Sequence, residues 1–370
     1  MLHPRVALIV LPVLVGIAVV PPSRADVRAR WTVSWATSQH ATAADLTNQT
    51  ARMIVHLTQG GTAVRVRIGN TLGATPLRMA RATVAPRATG AALRPGTVRD
   101  LTFDGSRLVQ VPPGQYVVSD PVDLATAAGQ DLAVSMYVPG TATPSTHSTA
   151  FETSYLTAAG TGDHSSDTAA DAFATTTQST YWVDAVDVLS NEARGAVVVT
   201  GGSVVDGTGS DKTGTLGTGP AAPPHSRWSD VLATRILREP GDQLTVAEAG
   251  IGGNTAARAC GSSPYGNVQD RLERDILSLS NVTDLIVYAG TNDLGIGTGC
   301  DASTIIAAFQ DIIARAHARG IRVLIATVTP RAHYTPVQNE QRHLVNLWIT
   351  KWNRCGGQCE GTVPFDATVS

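Results

Sequence analysis

Along the first half of the chain, apolar and polar residues alternate; along the second they recur at helical spacing between short apolar runs. Val64, Val66 and Ile68 alternate with Arg65 and Arg67, the period of two that turns one face of a strand to a core and the other outward. Gln115 to Val118 and Leu132 to Val138 read as further strands. Gly60-Gly61 and Asp104-Gly105 fall between strand-like runs, where hairpin turns sit. No helical period of any length interrupts Trp31 to Val188, so this stretch is expected to form a β-sandwich domain, residues 26–190. The run from Thr157 to Ser179, rich in Ala, Thr, Asp and Gly, is expected to be loop.

At about Gly195 the pattern changes. Ala196 to Thr200 is a continuous apolar run of the kind buried on both faces of a parallel sheet. A helix capped at Ser226 is expected next, with Trp228, Val231, Leu232 and Ile236 on one face. Strands at Leu244 to Ala247, Asp284 to Tyr288 and Arg322 to Val328 alternate with helices around Val268 to Leu277 and around Ile305 to Ile313, the latter ended by Gly320. Thr362 to Phe365 reads as a final strand. Such alternation predicts a parallel α/β sheet over residues 195–370, joined by right-handed crossovers, with its ligand site at the carboxyl ends of the strands.

Composition sharpens this picture. With 370 residues, 43% hydrophobic and 16% charged, the chain can bury large cores and is unlike a disordered segment. A net charge of −2 gives no electrostatic footprint for nucleic acid. His3 and Arg5 precede an apolar run from Val6 to Val20, and Ser23 and Ala25 follow at the spacing of a signal-peptidase site. The run is shorter than the ~20 residues that span a bilayer, so residues 1–25 are expected to be a cleaved signal peptide, leaving a secreted protein without a stable membrane anchor. Export permits disulfides. Cys260, Cys300, Cys355 and Cys359 allow three connectivities, of which 260–300 with 355–359 is the local one. Cys355 and Cys359 could also be read as zinc ligands, but no histidine or second cysteine pair lies nearby in sequence.

Three loops leave the carboxyl ends of expected strands, each with an unusual constellation: Thr200-Gly-Gly-Ser203-Val-Val-Asp206-Gly207, Ala249-Gly-Ile-Gly-Gly253-Asn254 and Ala289-Gly290-Thr-Asn292-Asp293. Singly, a serine here reads as a helix cap, paired glycines as a turn, and Asn-Asp as a turn or cap. Together on one sheet edge they suit acyl transfer. Ser203 would attack an ester carbonyl, while the N–H of Gly253, the amide of Asn292 and the N–H of Ser203 itself would stabilise the oxyanion, at ~3 kcal/mol per donor in comparable enzymes. Asp206 and Asp293 read as cap or backbone-bonding acids. The first loop lacks dinucleotide spacing directly after its strand and has no lysine in P-loop position, which argues against nucleotide binding.

In order and spacing, these loops resemble the first three sequence blocks of the SGNH/GDSL hydrolases, with Ser203 at the nucleophile, Gly253 at the oxyanion glycine and Asn292 at the oxyanion asparagine. Arg227 to Ala233, Ala316 to Gly320 and Thr327 to Pro330 resemble segments of actinobacterial members, and Trp31 to Thr37 and Ser119 to Val122 resemble their preceding β domain. The resemblance implies a flavodoxin-like α/β/α fold and hydrolysis of carboxylic esters of lipids, small acyl groups or acetylated carbohydrates, with no metal cofactor. Two departures stand out. Gly202 replaces the aspartate of Gly-Asp-Ser, adding backbone freedom at the nucleophile turn. The Asp-x-x-His block that supplies the base does not follow Val363-Pro-Phe-Asp366. Of the other histidines, His333 is placed nearest the active edge, His225 lies in a Pro-rich stretch, His317 is on a helix, and His56 and His147 belong to the β domain. The chain therefore reads as an ester hydrolase impaired for want of its base; the competing reading is a non-catalytic carbohydrate- or cell-surface-binding protein with a degenerate hydrolase domain.

Overall fold

A computed structural model describes residues 29–210, 225–239, 243–261, 266–295 and 300–368; the expected signal peptide lies outside them. The first half is antiparallel. Strands β1 (Arg30–Ala36), β2 (Leu46–His56), β3 (Ala63–Gly69), β4 (Arg81–Thr89), β5 (Asp131–Ala142) and β6 (Val183–Ser190) carry most of it. One sheet pairs β1 with β6 and β6 with β3; the other pairs β2 with β5 and β5 with β4. Met53 and Val55 from β2 and Val134 and Met136 from β5 meet Val64, Val66 and Ile68 from β3 in one core, so the two sheets form a sandwich. Val64, Val66 and Ile68 face the core as expected, but the opposite face is not turned outward, since Arg67 is buried and paired with Asp184 at 2.6 Å. Gly60-Gly61 is not a hairpin: β2 and β3 belong to different sheets, and the glycines are tight crossings, where a Cβ would meet the carbonyl oxygens of Thr126 and Leu189 at 2.2 and 2.5 Å. Asp104-Gly105 is a hairpin turn, both residues at positive φ between the bridged Phe103 and Ser106. The expected loop 157–179 contains a short strand, Thr175–Thr177, paired with Ser154–Leu156.

The second half is α/β. Strands β7 (Ala193–Gly201), β8 (Gln243–Gly250), β9 (Val282–Tyr288), β10 (Arg322–Ala326) and β11 (Gly361–Val363) lie in the order β8-β7-β9-β10-β11, all parallel. Counted within this sheet the order is 2-1-3-4-5, the flavodoxin-like arrangement, whose crevice opens where the chain reverses direction between β7 and β9. Helix α1 (Ser203–Asp206) is a single turn after β7, and α2 (Trp228–Arg238) covers one face of the sheet. Helices α3 (Val268–Leu272), α4 (Ala302–His317) and α5 (Pro336–Thr350) cover the other, with Leu272, Ile305, Phe309, Ile312 and Ile349 against Val198, Val287 and Ile325. Three layers result.

Local details correct the expectations. α2 is capped at Arg227, whose N–H donates to Asp230, while Ser226 donates to the carbonyl of Ser210. The helix at 268–277 continues after Leu272 only as a wide π turn. The last strand stops at Val363, and Phe365 instead packs on Trp228 and Tyr288. Helix α5 was not foreseen, although Thr335-Pro-Val-Gln338 has a capping box and a first-turn proline, and both reciprocal bonds form. Thr335→Ala is expected to cost about 1 kcal/mol, read as a lower denaturation midpoint.

Both local disulfides form, Cys260–Cys300 and Cys355–Cys359, which excludes the zinc reading of the latter pair. The two halves share core: Val33, Ala36 and Ala185 pack with Ala196, Ala247 and Ala249. Polar contacts join them too, Val33 N–H donating to the Ser280 carbonyl at 3.1 Å and Thr245 Oγ1 to the Val33 carbonyl at 2.5 Å.

Candidate active site

The three loops converge where the sheet topology places a crevice. The chain leaves β7 through Gly201, where a Cβ would stand 1.9 Å from the carbonyl oxygen of Tyr288 at the end of β9; only glycine passes this close. Gly202 follows at φ −93°, a region open to any residue, so its backbone freedom is not what the turn uses. What matters is its missing side chain, since a Cβ would lie 2.7 Å from Nδ2 of Asn292. Ser203 then opens α1, half-buried.

In the second loop, Asn254 N–H donates to the Ile251 carbonyl at 3.0 Å, and Gly253 occupies the third position of that turn at φ +76°, as a type II turn requires. Gly253 is exposed with open space beside it. Asn292 is 8% exposed and donates one amide hydrogen to the Asn254 carbonyl at 2.9 Å. Asp293 accepts from the N–H groups of Ala256 and Ala257, which bolts the third loop to the second; its reading as a backbone-bonding acid holds.

Two parts of the site were not foreseen. The first is Arg271 of α3, fully enclosed. Its Nε reaches Asn254 Oδ1 at 3.0 Å, Nη1 reaches Ser38 Oγ at 2.9 Å and the Ala249 carbonyl at 2.6 Å, and Nη2 reaches Thr200 Oγ1 at 3.1 Å. One guanidinium thus ties the first loop, the second loop and the antiparallel half. The second is Asp206, which neither caps a helix nor bonds only to backbone: its Oδ1 faces Nε2 of His147 at 3.0 Å, and His147 Nδ1 faces the Ser38 carbonyl at 2.9 Å. A charged pair in the middle of the candidate site comes from the half where His147 was set aside.

The electrostatics follow from burial and from that pair. Burial would lower the pKa of His147, but the Asp206 hydrogen bond and charge outweigh it and hold the imidazole above its ordinary value. Burial would raise Asp206, but the same bond, the His147 charge and Arg227 bring its carboxyl below the usual range. The pair's contribution therefore disappears when the pH rises through the raised histidine value or falls through the lowered carboxyl value. Glu248, half-buried, is pushed up to about 8 by desolvation and by the Asp206 charge. His40, edge-on to His147 at 4.6 Å between ring centroids, is lowered to about 4 by burial and by the His147 charge.

No imidazole among the described residues hydrogen-bonds to the Ser203 hydroxyl. Both nitrogens of His147 are taken. His333 is exposed on the loop before α5, and His317 pairs with Glu360. His225 stacks on His56 at 3.6 Å between centroids, and these two with Asp131 place ligand-type atoms within 4.8 Å of one another. Asp131 is already bonded there to His56 at 2.7 Å and to Arg87 at 3.0 Å. A small, partly open cavity of about 50 Å³ beside this cluster is lined by His56, His225, Arg227 and Glu248.

Residues 199–357 match the profile of the GDSL-like lipase/acylhydrolase family. This segment is similar to that family over 159 of the 370 residues. The GDSL-like segment contains all three loops and is of a kind that hydrolyses ester bonds. Among solved structures, similarity extends to a family two carbohydrate esterase from Clostridium thermocellum, described in complex with cellohexaose (11% identity, 88% of this chain and 83% of that one, TM-score 0.35). It extends also to the acetyl xylan esterase AlAXEase (21%, 46% and 78%, TM-score 0.32) and to AlinE4, an SGNH-hydrolase family esterase (20%, 47% and 78%, TM-score 0.34). No curated protein sequence matches the chain. No helix among the described residues is long and apolar enough to cross a membrane.

Proposed function

We propose that this chain is an exported serine ester hydrolase, divided near residues 190–195 into a β-sandwich domain and a GDSL-like domain, in which Ser203 is the nucleophile and Gly253 and Asn292 are oxyanion donors. One observation carries the reading: the Asn292 amide stands against Gly202, beside the nucleophile turn, with one hydrogen on the Asn254 carbonyl and the second uncommitted among the described residues. An amide has two donors, and the second is available to an oxyanion. Ser203 Oγ would form a bond to the ester carbonyl carbon while its proton leaves to a base. Collapse of the tetrahedral intermediate would expel the alcohol, and water would then release the acid from the acyl-enzyme. The substrate would be a carboxylic ester of a lipid, a short acyl group or an acetylated carbohydrate.

Turnover is expected to be low in the 370-residue chain, because no imidazole among the described residues engages Ser203; loss of that group costs ~10⁶ in comparable serine hydrolases. The same feature favours the second reading, a carbohydrate- or cell-surface-binding protein. Prolonged exposure to a fluorophosphonate, with the adduct mapped by mass spectrometry, separates them. Labelling at Ser203 alone, absent in Ser203→Ala, is the expected result. Labelling scattered over surface hydroxyls, or none, would overturn the hydrolase reading.

A further inference from the structure

We propose that His147 and Asp206 are positioning residues through which the antiparallel half holds the nucleophile turn; the assignment rests on Ser203 being the nucleophile. Asp206 ends the single helical turn that Ser203 begins, so displacing one displaces the other. Its carboxylate lies between two elements: His147 on one side at 3.0 Å, and on the other the backbone of Gly252, beside the oxyanion glycine. The Ser38 carbonyl can only accept, so His147 Nδ1 carries a hydrogen. Nε2 then faces a carboxylate, which requires a proton between them. The contact is an imidazolium–carboxylate pair, 1% and 6% exposed.

Ser38 makes this more than a buried ion pair. Its carbonyl holds His147, which holds Asp206 just after Ser203. Its hydroxyl accepts from Arg271, whose Nη2 also reaches Thr200 Oγ1 and the Gly201 carbonyl just before Ser203. A single residue of the antiparallel half thus braces both flanks of the nucleophile. The other charged or titratable groups facing this pair are His40 after β1, Glu248 on β8 and Arg227 at the start of α2, with Arg271 on α3 beside His40. None of them is bonded to His147 in place of Asp206 or Ser38 among the described residues.

The test uses the full chain and two substitutions that each keep half of the histidine. His147→Gln retains a donor near Nε2 for Asp206; His147→Asn retains one near Nδ1 for Ser38. Fluorophosphonate labelling of Ser203 is followed against reagent concentration, to separate the limiting rate from the half-saturating concentration. His147→Asn is expected to lower the limiting rate at least about tenfold, the factor for one charge-assisted hydrogen bond, with half-saturation unchanged and His147→Gln recovering most of the loss. Equal losses in both variants, or none, with the parent still labelled at Ser203, would overturn the positioning role alone. A parent not labelled at Ser203 would overturn the nucleophile assignment and this one with it. Should both variants fail to fold, nitrogen-15 spectra of the parent across pH decide: His147 is expected to keep its second proton to a higher pH than a free imidazole, and a ring that loses it at or below the ordinary value would overturn the pair.

Discussion

Arg271→Met is expected to destabilise the protein by roughly 3–5 kcal/mol, the cost of removing one partner from a buried charged network. Methionine fills the space of the aliphatic stem but donates nothing. The Ala249 carbonyl, Asn254 Oδ1, Ser38 Oγ and Thr200 Oγ1 would each lose a hydrogen bond inside the molecule, and a buried acceptor left alone is worse than one never placed there. Asp275 would be less affected, because Arg274 also holds it at 2.9 Å. Arg271→Lys should recover part of the loss: it keeps the charge but cannot address four acceptors with a planar fork. The measurement is the denaturant midpoint and slope of parent and variants. A change below about 1 kcal/mol would mean that water replaces the guanidinium without cost and that the loops do not depend on it. Since Asn254 carries the carbonyl that orients Asn292, Ser203 labelling should slow in the same variant.

This arginine shows where sequence reading stops. Asp270-Arg271-Leu272-Glu273-Arg274 looks like a solvated, charged helix segment, and the fact that matters, a contact with Ser38 lying 233 residues earlier, has no local signature. His147 is the same case: its partner Asp206 lies across the boundary between the two halves. Gly60-Gly61 has the composition of a hairpin, and only the pairing of β2 and β3 with different strands shows that the chain crosses between sheets there. Local and periodic features were legible. The apolar run at Ala196 to Thr200 is buried on both faces, and Ile305, Phe309 and Ile312 line the inner side of α4. Three loops at the carboxyl ends of strands followed from the alternation alone. Helix α5 was missed for another reason: Val337, Leu344 and Leu347 are exposed apolar residues that blur its period, although its cap was readable.

Gly202→Asp, which would restore the Gly-Asp-Ser of the family, is expected to slow Ser203 labelling about a hundredfold, the typical effect of losing one oxyanion donor. The offending atom is the first one added. A Cβ on Gly202 would lie 2.7 Å from Asn292 Nδ2 and 3.2 Å from the Asn254 carbonyl oxygen. The amide would have to move, yet it is held by that same carbonyl and by the buried Asp293 beside it. Gly202→Ala should therefore do nearly the same damage, with overpacking adding about 1–3 kcal/mol of destabilisation in either variant. The non-additivity is the sharper check: in Asn292→Ala the obstructed amide is gone, so adding Gly202→Ala should cost little more. Faster labelling in Gly202→Asp would mean the opposite, that the aspartate steadies the nucleophile turn here too and that Gly202 is a lesion. On the present geometry the glycine and Asn292 are matched, and the turn has given up one side chain so that an amide can sit against the residue before Ser203.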